Sequence, residues 1–278
     1  MTDEERALIL RLDTLEAAAF EALFAAAPRP LADALGLSVV RNEGVTALVA
    51  PRLPTTQFNR VIGLGNDRPA TDADVDALLS LFRDRGVREH WVHVGPAAQP
   101  ADLDGLLLRR GFTVPPRRSW AKVVRGVEPP PPVKTDLVVR ELAPADAPKF
   151  SSVVLAAFGM PTAISPWIVA LVGRSPFRCY AAFDGEDAVS GGLVYLDGDA
   201  AWLGLGSTLA THRGRGGQGA IMARRIVDAI DAGATVITTE TGESIGNEKN
   251  ASLANMYRMG FRLAASRRNF AAPPSERA

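Results

Sequence analysis

Arg213-Gly214-Arg215-Gly216-Gly217-Gln218-Gly219-Ala220 is the stretch that decides how this chain folds. It follows a strand-like run, Trp202 to Leu209, and opens a helix-like run, Ile221 to Ile230. Glycines crowded between a strand and a helix leave backbone N–H groups free to point outward. The start of a helix adds partial positive charge at the same place. Arg213 and Arg215 bring planar forks of donors that match phosphate oxygens. The stretch predicts a cradle for a phosphorylated ligand; the plainer alternative is a Gly-rich surface turn with solvated arginines.

The flanking sequence narrows the ligand. No Gly-Lys-Ser/Thr triplet follows, so the loop lacks the lysine and the magnesium-binding hydroxyl of a nucleoside triphosphate site. Gly214, Gly216 and Gly219 do spell G-x-G-x-x-G, and Glu240 stands about where a dinucleotide fold places its ribose acid. That fold needs its first glycine tight against the strand end and further βα units beyond it. Here Thr211, His212 and Arg213 intervene, and the residues after Glu240 supply one helix and one strand. An NAD(P)-dependent oxidoreductase is therefore the third of three readings.

Arg213-x-x-Gly216 ahead of a helix resembles the Arg/Gln-x-x-Gly-x-Gly/Ala loop of the GNAT superfamily of acyl-CoA-dependent N-acyltransferases. Asn250-x-x-Leu253-x-x-x-Tyr257-x-x-Gly260-Phe261 resembles that family's penultimate helix and its turn into the next strand. The matching order of elements covers roughly Val138 to Phe270. Gln218 departs from the pattern, standing where the family has its second Gly or Ala. The resemblance implies an α/β fold, a mixed and mostly antiparallel sheet flanked by helices. It also implies acetyl-CoA as co-substrate and direct acetyl transfer to an amine, small-molecule or protein, in a ternary complex. Carried over by position, Arg213, Gly214, Arg215, Gly216, Gly217, Gln218 and Gly219 would hold the pyrophosphate. Gly206, Ser207 and Thr208 would line the pantetheine and acyl group, with the Thr208 N–H as oxyanion donor. Asn250 would touch the cofactor, and Tyr257 would protonate the leaving thiolate. Asn250 as a helix cap and Tyr257 as a packing residue are the alternatives.

The base is harder to place. The strand Ala201 to Leu209 carries no Glu or His, which leaves Glu240 and Glu243 at the end of the next strand as proton acceptors or as solvated carboxylates. His90 and His93, an odd number of residues apart on a strand, fall on opposite faces, so no metal site is expected. His212 stands beside Arg213, facing phosphate or solvent.

Composition limits the remaining classes. The chain has 278 residues, with 31 Lys and Arg against 31 Asp and Glu, no basic excess of the kind nucleic-acid binding needs. The acidic start Asp3-Glu4-Glu5 does not read as a signal peptide, and no apolar run approaches the ~18 residues of a membrane span. Cys179 stands alone in the apolar run Cys179-Tyr180-Ala181-Ala182-Phe183, which excludes an intrachain disulfide and points to a reducing cytoplasm. Arginine far outnumbers lysine, as in GC-rich bacterial coding sequences.

Pro129-Pro130-Pro131-Pro132 reads as a stiff extended linker, and the two sides of it read alike. Val61-Ile62-Gly63-Leu64-Gly65, a helix from Asp72, a strand through Trp91, a helix from Leu103, Gly111-Phe112 and Ser119 to Val124 recur as Trp202 to Gly206, helix, strand, helix, Gly260-Phe261 and strand. Where the second side has its Arg/Gly loop, the first has Asn66-Asp67-Arg68-Pro69-Ala70, with a proline that lacks an N–H. The expected organisation is a helical lead-in at 1–30, used for core packing or a homodimer contact, a degenerate GNAT-like domain at 31–127, a linker at 128–136 and an acetyl-CoA-binding domain at 137–278. A non-catalytic acyl-CoA sensor, with the loop intact and no base, is the second functional reading.

Overall fold

The computed structural model describes residues 1–53, 55–246 and 250–273. The Thr2 hydroxyl accepts from the Glu5 N–H and the Glu5 carboxylate accepts from the Thr2 N–H, a reciprocal cap that starts α1 (Asp3–Ala25). A short α2 (Arg29–Leu35) leads into β1 (Ser38–Asn42), β2 (Val45–Val49) and β3 (Arg60–Ile62). Thr71 and Asp74 form a second capping box for α3 (Asp72–Asp84), followed by β4 (Trp91–Val94), α4 (Leu103–Arg109) and β5 (Ser119–Arg125). Beyond the prolines come β6 (Val138–Glu141), α5 (Ala147–Phe158), α6 (Ser165–Val169), β7 (Phe177–Asp184), β8 (Asp187–Asp197) and β9 (Ala200–Thr208). The chain closes with α7 (Gly217–Asp231), β10 (Val236–Gly242), α8 (Ala251–Arg258) and β11 (Arg262–Ala271). No described helix is long and apolar enough to cross a membrane.

The α/β class and the repeat agree with the sequence, but the linker divides the chain without dividing the sheet. All 11 described strands form one sheet in the order β1-β2-β3-β4-β11-β5-β10-β9-β8-β7-β6. The last strand of each half has crossed over: β11 lies between β4 and β5, and β5 lies between β11 and β10. The two equivalent strands pair antiparallel with each other, so the repeat folds around their shared centre. The tandem halves are thus interlocked rather than strung together.

Of the two uses expected for the helical lead-in, core packing is the one seen for α1. It packs on β1, β2, β9 and β11, with Phe20 edge-on to Trp202 at 5.3 Å. Its apolar face is used inside the chain. The same helix lowers Glu16 onto the sheet centre, fully buried. There the carboxylate accepts from Lys122 and Arg267 at 2.5 Å each and from Arg60 at 2.8 Å. On the opposite side of the sheet, α7 and α8 cover Ala201, Leu203 and Ile237. His90 and His93 do fall on opposite faces: His90 stacks on Phe82 at 3.8 Å, whereas His93 donates from Nδ1 to the Asn269 side chain at 2.8 Å.

Candidate functional site

Strands β9 and β10 pair in parallel only from Ala200↔Val236 to Trp202↔Thr238. The Thr239 hydroxyl donates to the Leu203 carbonyl at 2.7 Å, and beyond that point the strands part. Opposite Gly191–Leu193 the register of β9 slips, and Leu205 takes a φ of 51°, so the bulge bends β9 away from β10. Near the open end the Leu209 N–H bonds to Val189 on β8 at 2.9 Å. Alternate N–H groups along a strand point to opposite edges, so the Thr208 N–H faces the fork.

The glycine loop sits at the mouth of this fork. Gly214 and Gly216 have φ values of 82° and 83°, and α7 starts at Gly217 without a side-chain cap. Its first intrahelical bond is Ala220 N–H to the Gly216 carbonyl, which leaves the N–H groups of Gly217, Gln218 and Gly219 outside the helical ladder. Gly216 is required for a second reason: a Cβ there would stand 2.6 Å from the Lys134 carbonyl. The linker is therefore a wall of the site rather than a spacer, and the Thr135 hydroxyl donates to the Arg215 carbonyl at 2.7 Å.

A cavity of about 870 Å³ fills the fork and its mouth. Gly206, Ser207, Thr208, Arg213, Gly214, Gly216, Gly217, Gln218, Gly219, Glu243 and Asn250 all line it. So do Arg117, Lys134 and Arg258, giving, among the described residues, four cationic side chains with Arg213 against the one carboxylate of Glu243. The uncapped helix start and this excess of positive charge suit a pyrophosphate, and the cavity continues along β9 toward the fork base. Pyrophosphate would rest on the α7 amides and Arg213, with the rest of coenzyme A along Gly206 to Thr208.

Several expected residues do something else. Arg215 is absent from the lining; its guanidinium pairs with Asp184 at 2.5 Å and with Asp136, fastening the loop to β7 and the linker. Asn250 lines the cavity but spends its side chain as a cap, accepting from Leu253 N–H at 3.1 Å and donating to the Gly242 carbonyl. Glu243 accepts from the Ser119 and Ser266 hydroxyls, tying β10 to the crossed strands. Gln218 bridges the two helices, donating to Ser252 at 3.3 Å and accepting from Asn255. Tyr257 is the largest departure. Ser252, Asn255 and Met259 face the cavity, and at 100° per residue Tyr257 points from the far side of α8, where it is 45% exposed.

Glu240 lies in a second cavity of about 150 Å³ at the base of the fork. The two cavities share Phe158, Gly206, Gln218 and Ser252. Trp202 Nε1–H donates to the Glu240 carboxylate at 2.8 Å. Burial and the negative charge of Glu16 push its pKa up to about 7, against the pull of Lys122, Arg60 and Arg267. Phe20, Gln57, Arg60 and Trp120 bring the first half into the same space. No sequence motif marks these four residues. The available signal was a set of charges, Glu16, Arg60 and Lys122, inside runs that otherwise read as core.

The first half has the same fork in closed form. β3 and β4 pair only at Arg60↔Trp91 and Val61↔Val92, yet the chain after β4 returns into the gap. Gln99 N–H bonds to the Gly65 carbonyl and Ala70 N–H to the Gln99 carbonyl, both at 2.8 Å. A Cβ on Gly65 would lie 2.3 Å from the Gln99 oxygen.

No protein-family model matches the sequence, and no curated relative matches it. Solved structures do. A GCN5-related N-acetyltransferase from Kribbella flavida superposes with a TM-score of 0.62 at 14% identity, over 86% of this chain and 90% of that one. One from Sphaerobacter thermophilus gives 0.61 at 14% identity, over 90% and 87%. A tandem GNAT protein from the clavulanic acid biosynthesis pathway gives 0.55 at 17% identity, over 99% and 97%. The fold is that of the GNAT N-acetyltransferases in its tandem form.

Proposed function

We propose that the chain is an acyl-CoA-dependent N-acyltransferase, with acetyl-CoA as its simplest donor and an amine as acceptor. The observation that carries this reading is the fork between β9 and β10, open, bulged, and fronted by an uncapped helix start with a cationic rim. Placed in the fork, the thioester would meet the Thr208 N–H as oxyanion donor. Glu240 is the base, because it is the carboxylate at the fork base and burial holds its pKa near neutrality. The amine nitrogen attacks the thioester carbon, the C–N bond forms and the C–S bond breaks. The proton lost by nitrogen passes to Glu240, and the sulfur leaves as a thiol after taking up one proton. The approach to Glu240 is roofed by the first half, which favours a small-molecule amine over a protein side chain. A lone, buried Cys179 is suited to the cytoplasm.

A non-catalytic acyl-CoA-binding module is the second reading, favoured by the absence of the Tyr257 phenol from the described lining of the cleft. Thiol release from a panel of short acyl-CoAs, offered with a library of small amines, separates the two. The enzyme reading expects amine-dependent release that Glu240→Gln lowers by about 10²–10⁴-fold. Binding without release from any pair would leave the sensor.

A further inference from the structure

Helix α7 buries a cation that has no counter-charge among the described residues. Ile221, Met222, Ile226 and Ala229 form its buried stripe, and Arg225 lies in the same stripe, 2% exposed. Its Nη1 donates to the carbonyls of Leu193 at 2.9 Å and Gly204 at 3.0 Å. Nε is buried without an acceptor, and among the described residues no carboxylate pairs with this guanidinium. The neighbouring Arg224 differs, meeting Asp228 at 2.8 Å. Glycines make room for Arg225: a Cβ on Gly192 would lie 2.9 Å from its Cζ. On Gly206 a Cβ would lie 3.7 Å from Nη2. Burial lowers its pKa to about 10, which leaves it protonated at neutral pH.

A desolvated, unpaired cation costs several kcal/mol, and a leucine would fill a helix stripe at no such cost. Arg225 forms part of the wall of the 150 Å³ cavity at the fork base, where the acyl end of a bound thioester would arrive. A cavity of roughly this volume accommodates a benzene-sized group, more than an acetyl group occupies. A negative charge delivered there by the ligand would supply the missing partner.

We propose that Arg225 reads a carboxylate at the far end of the donor's acyl chain, so that the preferred donor is a short dicarboxylic acyl-CoA. This inference rests on the acyl-CoA reading above, and leaves its bond changes intact because the distal carboxylate does not react. The test is calorimetric titration of the full chain with free coenzyme A, butyryl-CoA and succinyl-CoA, the last two matched in chain length. Succinyl-CoA is expected to bind at least tenfold more tightly than butyryl-CoA. Arg225→Met should erase that preference while affinity for free coenzyme A stays unchanged. Equal affinities for the two acyl-CoAs in the wild-type chain would overturn the inference, even if the variant fails to fold. Equal weakening of all three ligands by Arg225→Met would also overturn it, making Arg225 a pin for the β9 bulge. Failure of free coenzyme A to bind would instead remove the underlying acyl-CoA reading and this inference with it.

Discussion

Glu240 and Glu16 sit on the same side of one sheet and meet opposite fates. Three cations surround Glu16, and although burial alone would raise its pKa, Arg267, Lys122 and Arg60 hold it well below the usual range. Removing one member of such a cluster strands the others, so Glu16→Ala should destabilise the fold by about 3–5 kcal/mol, read by denaturant unfolding. Glu240 is raised, to about 7. A raised carboxylate is protonated below that value and idle as a base. Turnover should therefore climb with pH to a plateau above about 7, and Glu240→Gln should remove that limb. The same shift sets a stability sign: folded Glu240 holds its proton more tightly than the unfolded side chain. Its contribution is complete below the unfolded pKa of ~4.3 and is lost as pH rises through about 7. Comparing unfolding of wild type and Glu240→Gln across that window checks the sign. Tyr257→Phe should leave turnover, cofactor affinity and melting temperature close to wild type, because the phenol faces away from the cleft. Glu240 was legible in the sequence only as one of two strand-end carboxylates. What separates it from Glu243 is the set of charged neighbours that four other segments bring to it.

At the scale of elements, the glycine loop was legible because its demands are local. Positive φ, an uncapped helix start and a flanking arginine are written in consecutive residues. The division of labour between the two arginines was not, since Asp136 and Asp184 come from the linker and β7. This predicts a contrast. Arg213 is exposed and has no ion-pair partner among the described residues. Arg213→Ala should weaken coenzyme A binding about tenfold, or 1.4 kcal/mol, with an unchanged melting temperature. Arg215→Ala should lower the melting temperature as well, because it unfastens the loop. Melting curves and titrations on both variants read the two effects separately. Substituting Gly216 would mix them, since any side chain there strikes the linker backbone.

For the whole molecule, the repeat was visible in the recurrence of strand, helix and Gly-Phe turns. The exchange of β5 and β11 was not, because a strand's own pattern is the same whichever neighbours it pairs with. Likewise, nothing local to Gly65 announces that Gln99 will return to fill the first fork. The exchange makes the halves interdependent. Residues 137–278 expressed alone would lack β5, leaving β10 and β11 with unpaired edges. That fragment should fail to give a soluble monomer by size-exclusion chromatography. One open fork and one closed fork share a single chain, so a single coenzyme A site is expected. Calorimetric titration of the full chain with coenzyme A tests this most directly. One molecule should bind per chain, with affinity lowered about tenfold by Arg213→Ala; no binding, or two molecules per chain, would contradict the open and closed forks.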